Sequence, residues 1–330
     1  MILKRNTYER LVRPLLFALD AETAHHFAIG CLRYFSALIP KTTLTRPTNV
    51  FGLEFRNPVG LAAGFDKNGV ALLAWEALGF GFIEIGTVTA QAQPGNPPPR
   101  IFRYREQCAL INRLGFNNDG AEVIAKRLRN FRVREHWPRI PVGINIGKSK
   151  ATPLENAAED YLFSFRLLHE FADYVVLNVS SPNTPGLRTL QEHEALVELL
   201  RTITREGASK PILLKIAPDL SDADLAQIII ACEENGVAGI VATNTTLDHS
   251  AIPKAKDEAG GLSGAPLREK STAMVRAITA QTKLPVIGVG GILDAASARE
   301  KFGAGAKLIQ LYTGYIYRGP SLIREIVEAI

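Results

Sequence analysis

Cysteine is scarce in this 330-residue sequence: Cys31, Cys108 and Cys232 are the only three, odd in number and far apart. That argues against a disulfide framework and a metal knuckle, and for a reducing compartment. The six histidines, at 25, 26, 136, 169, 193 and 249, show no HxH or HxxxH spacing, so no metal site is expected. No apolar run approaches the ~20 residues of a membrane span, and no h-region leads to a small-residue cleavage site. Low-complexity tracts and internal repeats are also missing. Charge of one sign is short overall, at a net +5, but it is unevenly placed. Residues 1–46 hold seven basic and three acidic side chains, leaving 31 against 30 in the other 284. The basic residues are interleaved with apolar ones, which favours a partner other than nucleic acid.

What is present begins with two short amphipathic patterns in residues 7–39. Leu11, Leu15, Leu16 and Leu19 recur at helical spacing, and Ala24, Phe27, Ala28, Cys31, Leu32 and Phe35 form a second stripe. Asp20 is placed to cap the second helix, with Glu22 and Thr23 in its first turn. Such a pair suits packing on a domain or lying in a bilayer interface. Periodicity alone does not separate the two.

After residue 56, short β-branched runs alternate with polar or Gly-rich loops and helix-period segments. The runs are Val59–Ala63, Phe82–Val88, Val142–Ile146, Tyr174–Val179, Ile212–Ile216, Gly239–Thr243, Val286–Val289 and Leu308–Tyr312. Eight strands alternating with helices imply a parallel sheet closed as a (β/α)8 barrel, a TIM barrel in form. An open doubly wound sheet would want GxGxxG after its first strand; here Gly288-Val-Gly-Gly291 follows the seventh. Between the second and third runs lie 53 residues, 89–141, with a β-hairpin expected at Arg100–Tyr104 and Ala109–Ile111. An insertion of that size at the C-terminal face of a barrel is functional as a rule.

Barrel chemistry sits at the C-terminal strand ends. Here those ends read Ala62–Lys67, Gly86-Thr87, Asn145–Lys148, the loop from Asn178, Lys215, Thr243–Thr246, Gly290-Gly291 and Tyr312–Gly314. Asn, Thr and Lys dominate, with no histidine and no carboxylate pair, which argues against a hydrolytic triad or a two-acid site. Hydrogen bonds that orient planar polar rings, with a cofactor doing redox work, fit better. The most informative segment is Asn178-Val-Ser-Ser-Pro-Asn-Thr-Pro-Gly-Leu-Arg188, which places Ser181 between two carboxamides, Asn178 and Asn183. Gly290-Gly291 and Tyr312-Thr313-Gly314 fall where barrels bind phosphate, although glycines there also simply permit tight turns. Lys215, inside the apolar run Ile212–Ile216, needs a partner if buried: a structural ion pair, or negative charge developing on a cofactor ring.

These segments together resemble the membrane-associated, quinone-dependent class of dihydroorotate dehydrogenases, class 2. The matching motifs are Asn57–Lys67, Ile83–Thr89, Ile111–Asn117, Gly143–Gly147, Asn178–Arg188, Lys215–Asp219, Thr243–Thr246, Gly260–Gly264, Gly288–Ile292 and Leu311–Gly314. The resemblance spans essentially the whole chain. It implies FMN in the barrel mouth, contacted by Ala63, Gly64, Lys67, Thr87, Asn145, Asn178, Lys215 and Thr243, with its phosphate on Gly264, Gly291, Tyr312 and Thr313. It implies dihydroorotate, the precursor of orotate, against Lys67, Asn112, Arg113, Leu114, Gly115, Phe116, Asn178, Asn183, Asn244 and Thr245. Ser181 matches the catalytic base, with Thr184 on its proton path and Lys67 and Phe116 beside the reacting atoms. Soluble relatives carry cysteine at that base position and lack the N-terminal helices. Residues 1–46 would then form the membrane and quinone-access segment, with His25, Arg103 and Tyr312 at its inner end. Residues 47–330 would form the FMN barrel with catalytic loop 178–190. A monomer peripheral to the cytoplasmic face of a bacterial membrane, with no nucleic-acid partner, is expected. Two other readings stay open at this point: an FMN enzyme for another cyclic amide, and a membrane-bound binding module without turnover.

Overall fold

The computed structural model describes residues 5–184, 186–206 and 209–330. The start of the N-terminal segment, residues 1–4, and Pro185 of the catalytic loop lie outside the described residues. Among the described residues there are thirteen strands. In chain order they are β1 Thr48–Val50, β2 Leu53–Phe55, β3 Val59–Leu61, β4 Phe82–Val88, β5 Ile101–Tyr104, β6 Ala109–Asn112, β7 Val142–Ile146, β8 Tyr174–Asn178, β9 Ile212–Ile216, β10 Gly239–Ala242, β11 Gly261–Gly264, β12 Val286–Val289 and β13 Leu308–Leu311.

Eight of them, β3, β4, β7, β8, β9, β10, β12 and β13, close into a parallel barrel in sequence order. All are buried along their length, as a sheet covered on both faces requires. Helices such as His193–Arg205 and Ser321–Ala329 bury one apolar stripe against the barrel, Leu196, Leu199, Leu200 and Ile203 in the first. Below the barrel, β1 and β2 form a hairpin whose Val50 and Phe55 pack with Phe82, Tyr174, Leu213 and Leu308. This plug was not anticipated, because three-residue strands carry almost no periodic signal.

The insertion after β4 makes the expected hairpin of β5 and β6, and β11 joins its edge as a third strand. The Gly261-Leu-Ser-Gly264 segment, which reads as a loop, is therefore a strand beside the site. The helix Ala21–Phe35 is capped as expected: Asp20 accepts hydrogen bonds from the Glu22 and Thr23 N–H groups. The preceding stretch is helical from Arg5 to Ala18 with a π-turn at Tyr8–Val12. It docks on the last turns of the chain, where Tyr8 Oη donates to the Ile316 carbonyl and Arg13 to that of Tyr317.

Candidate active site

Strand ends β3, β4, β8, β9, β10, β12 and β13, with the β6 and β11 edges, surround one cavity of about 1050 Å³, part of it open to solvent. Lys67, Thr87, Asn112, Phe116, Asn178, Ser181, Asn183, Lys215, Thr243, Asn244, Thr245, Gly264, Gly291, Tyr312 and Thr313 line it, as do Ala63, Gly64, Leu114 and Gly115. The sequence-expected residues therefore converge, apart from Asn145, Arg113, Arg103, Thr184 and His25.

Asn145 lies one layer below, fully buried, and reaches the cavity only through others. Its Oδ1 accepts from Thr87 Oγ1 at 2.6 Å and Asn178 Nδ2 at 3.3 Å, while its Nδ2 donates to Glu84 at 2.9 Å. Arg113 turns its guanidinium away, to Glu258 at 2.9 Å and over the Phe102 ring. Arg103 closes the end of the first extension helix, donating to the Leu16 and Leu19 carbonyls and stacking on Phe17. Thr184 is buried within the loop after β8 and, among the described residues, makes no direct hydrogen bond to Ser181.

Above the floor, Asn178 Nδ2 donates to Thr87 Oγ1 at 2.9 Å, and its Oδ1 accepts from Ser180 Oγ at 2.9 Å and Asn244 Nδ2 at 3.4 Å. Ser181 Oγ, 5% exposed by residue, accepts from the Asn183 N–H at 3.2 Å. Asn183 Nδ2 donates to Asn112 Oδ1 at 3.3 Å, tying the loop after β8 to β6. Arg188 fastens the same loop through the Ser180 and Thr245 carbonyls and the Asp219 carboxylate.

Two ammonium groups face this space. Burial holds the Lys67 amine down to about 8, against the opposing pull of the Glu22 carboxylate. Lys215 is also lowered by burial, opposed by Glu84 with its carboxylate 3.9 Å away. At the far end, Thr313 Oγ1 and Ser263 Oγ lie 2.9 Å apart, and the Gly291 and Ile292 N–H groups make no hydrogen bond among the described residues. A Cβ on Gly291 would lie 2.2 Å from Arg268 Cα, and one on Gly264 2.2 Å from the Cys108 carbonyl. Both glycines have positive φ, so the chain's own packing demands them with or without a ligand. The free N–H groups and the Thr313 hydroxyl, rather than the glycines as such, are what suit a phosphate.

On the extension side, His25 packs on Phe65 at 5.4 Å between ring centroids, and Phe65 on Tyr312 at 5.1 Å. Desolvation, then Lys67, pushes His25 down to about 3, so it is neutral. Sequence reasoning missed Glu84, Gln310, Ser180, Ser263 and the part played by Arg188. Glu84 had a signal: it is the single charge in Phe82–Val88, as Lys215 is in Ile212–Ile216.

Comparison with known proteins accords with this geometry. The family described as Dihydroorotate dehydrogenase matches residues 46–330. Proteins named dihydroorotate dehydrogenase (quinone) from Gloeobacter violaceus and Thermosynechococcus vestitus are 50% and 51% identical, covering 97% and 98% of this chain and 93% and 96% of their own. The crystal structure of DHODH in complex with ferulenol from Eimeria tenella superposes with a TM-score of 0.86 at 37% identity, covering 93% of this chain and 89% of that one. A barrel whose carboxamide-rich strand ends meet at one cavity, with relatives alike along nearly their whole length, places the chain in the dihydroorotate dehydrogenase family, among its quinone-dependent members.

Proposed function

We propose that the cavity described above is where this chain performs its family's reaction, with Ser181 as the base. The enzyme oxidises dihydroorotate to orotate in pyrimidine biosynthesis and carries FMN, with quinone as electron acceptor. The observation that carries the site assignment is the carboxamide network under Ser181, flanked by Lys67 and Lys215, with no histidine or exposed carboxylate lining the cavity to do the work instead. Bound FMN supplies the hydride acceptor and the relay of electrons onward.

The chain's own residues do the rest. The Gly291 and Ile292 N–H groups and Thr313, with Gly264 and Tyr312, hold the phosphate. Ala63, Gly64, Thr87, Asn178 and Thr243 shape the ring site, Asn145 supports it from below, and Lys215 offsets negative charge developing there. Lys67 meets the substrate carboxylate and lies within reach of the ring. Asn112, Asn178, Asn183, Asn244 and Thr245 present paired donors and acceptors to a cyclic amide, and the Arg113–Phe116 backbone turn encloses it. Ser181 takes the C5 proton as a hydride leaves C6. A hydroxyl is a weak base, so the fastened loop must exclude water and pass the proton on, with Thr184 the buried hydroxyl next in the loop.

Residues 1–46 act as the membrane and quinone-access unit, and 47–330 as the FMN barrel with catalytic loop 178–190. Seven of the thirteen exposed large apolar side chains among the described residues fall between Leu11 and Leu38, a concentration that supports docking into a bilayer interface. No helix among the described residues is long and apolar enough to cross a membrane. Our reading is a monomer, peripheral at the cytoplasmic face of a bacterial membrane. Quinone enters between the two helices toward His25, Phe65 and Tyr312, with Arg103 holding the helix end.

The test is the visible spectrum of the purified protein, taken anaerobically before and after dihydroorotate. Bleaching of the flavin bands is expected. Bands that stay oxidised would discard this substrate and leave another cyclic amide as the better reading.

A further inference from the structure

Glu84 has no exposed surface and no part in the roles assigned above. It does not line the cavity. A buried carboxylate is costly unless paired and hydrogen-bonded, and its three partners come from three other strands. Asn145 Nδ2 of β7 donates at 2.9 Å, Gln310 Nε2 of β13 at 2.5 Å, and Lys215 Nζ of β9 lies 3.9 Å away. An ionised carboxylate only accepts, so it fixes which way both carboxamides turn. From there the donor sense runs one way: Asn178 Nδ2 to Thr87 Oγ1, Thr87 Oγ1 to Asn145 Oδ1, and Asn145 Nδ2 to Glu84.

We propose that Glu84 is a positioning residue: it anchors the Lys215 ammonium beneath the cofactor ring and, through Asn145, sets the turn of Asn178. The inference rests on the reading of Lys215 as the charge facing the ring. Burial drives the Lys215 amine toward its neutral form, and Glu84 is the opposing charge. Tyr174 on neighbouring β8 is raised well above its ordinary value, mainly by burial, and stays neutral. β10, on the other side of β9, brings only Gly239, Ile240, Val241 and Ala242, none of them ionisable. Removing the Glu84 charge takes away what opposes burial, so Lys215 gives up its proton at lower pH than in native protein and the ring loses its counter-charge earlier as pH rises.

The experiment is the midpoint potential of the bound flavin, measured on the holoenzyme from about pH 6 to pH 9, a range that an ordinary lysine does not titrate in. Lys67 faces the same cavity with its amine held to about 8, so it titrates within this range in native protein as well. Glu84→Gln should retain FMN and add a further break to the potential–pH line beyond the one Lys67 gives. At the alkaline end the reduced form should lose at least tenfold in preference, which is ~30 mV for a two-electron couple. A role in packing alone would change FMN retention or Tm without that break, and superimposable lines would overturn the proposal. Lys215→Met, run alongside, separates the two levels. If it leaves the potential native-like, the reading of Lys215 itself falls; if it lowers the potential while Glu84→Gln does not, only the role of Glu84 falls. Should Glu84→Gln not fold, Lys215→Met is compared with the Lys215→Met, Glu84→Gln double variant. Coincident potentials support action through Lys215, and a further shift of similar size refutes it.

Discussion

Among the described residues the Ser181 hydroxyl accepts only a backbone N–H, from Asn183, and no histidine or carboxylate shares its proton. As the proposed base, it would draw its basicity from substrate closeness and loop closure. Ser181→Ala is expected to slow flavin bleaching by dihydroorotate by about 10²–10⁴, the usual worth of a positioned base, with FMN content unchanged in rapid-mixing samples. Lys301 is a second residue whose surroundings set its behaviour. It is fully buried, with its ammonium on Ser271 Oγ, Thr272 Oγ1 and the Arg268 carbonyl, and burial pulls it from 10.5 to about 7. Its folded value lies below the unfolded one, so between those pH values the unfolded chain binds more protons. Stability then falls as pH drops through that window, and the cost is complete below it. Lys301→Met should raise the Tm near pH 6 by roughly 2–4 °C and give a smaller gain above pH 9; an equal gain at both would deny the ionisation. Lys215 and Glu84 show where single-residue reading stops. Each is visible as a charge in an apolar run, but which lone charge meets which depends on strand register, since Lys215 pairs beside Asn178 and Glu84 beside Gly143.

The barrel strands were legible because buried parallel strands are nearly unbroken β-branched runs, and their ends fell within a residue or two of expectation. β11 was not, since Gly261–Gly264 has the composition of a turn and is a strand only because the β6 edge offers it partners. The extension helices were legible in period but not in orientation. Of the first stripe, Leu11, Leu15 and Leu19 face outward, while Phe17 is buried against Tyr317. Leu15→Glu with Phe27→Glu should cost little stability, both side chains being more than half exposed. The pair should reduce co-sedimentation with lipid vesicles several-fold and lower turnover with vesicle-embedded quinone, while dihydroorotate still bleaches the flavin. Unchanged vesicle binding would move the membrane contact elsewhere. Arg188→Ala acts on the catalytic loop as an element. Losing its ties to Ser180, Asp219 and Thr245 should raise the KM for dihydroorotate more than it changes FMN retention, as steady-state kinetics and flavin content would show.

As a whole molecule, the chain keeps a solvent-open cleft at one end of its core and a hairpin plug at the other. A ligand that binds only the folded form stabilises it by mass action, ~2.7 kcal/mol at a hundredfold excess over Kd. Stripping FMN should therefore lower the Tm, and re-addition should restore it in proportion to the logarithm of its concentration. A Tm indifferent to FMN would contradict a site built into the core. The N-terminal docking surface has a consequence in time. Tyr8 and Arg13 make their hydrogen bonds to residues 308 and 304 positions later in the chain. At 5–20 residues per second on the ribosome, the first helices wait about 15–60 s for the turn they dock on. Throughout that interval their apolar faces are open to chaperones or to a nearby bilayer, so the first segment made is the last to seat.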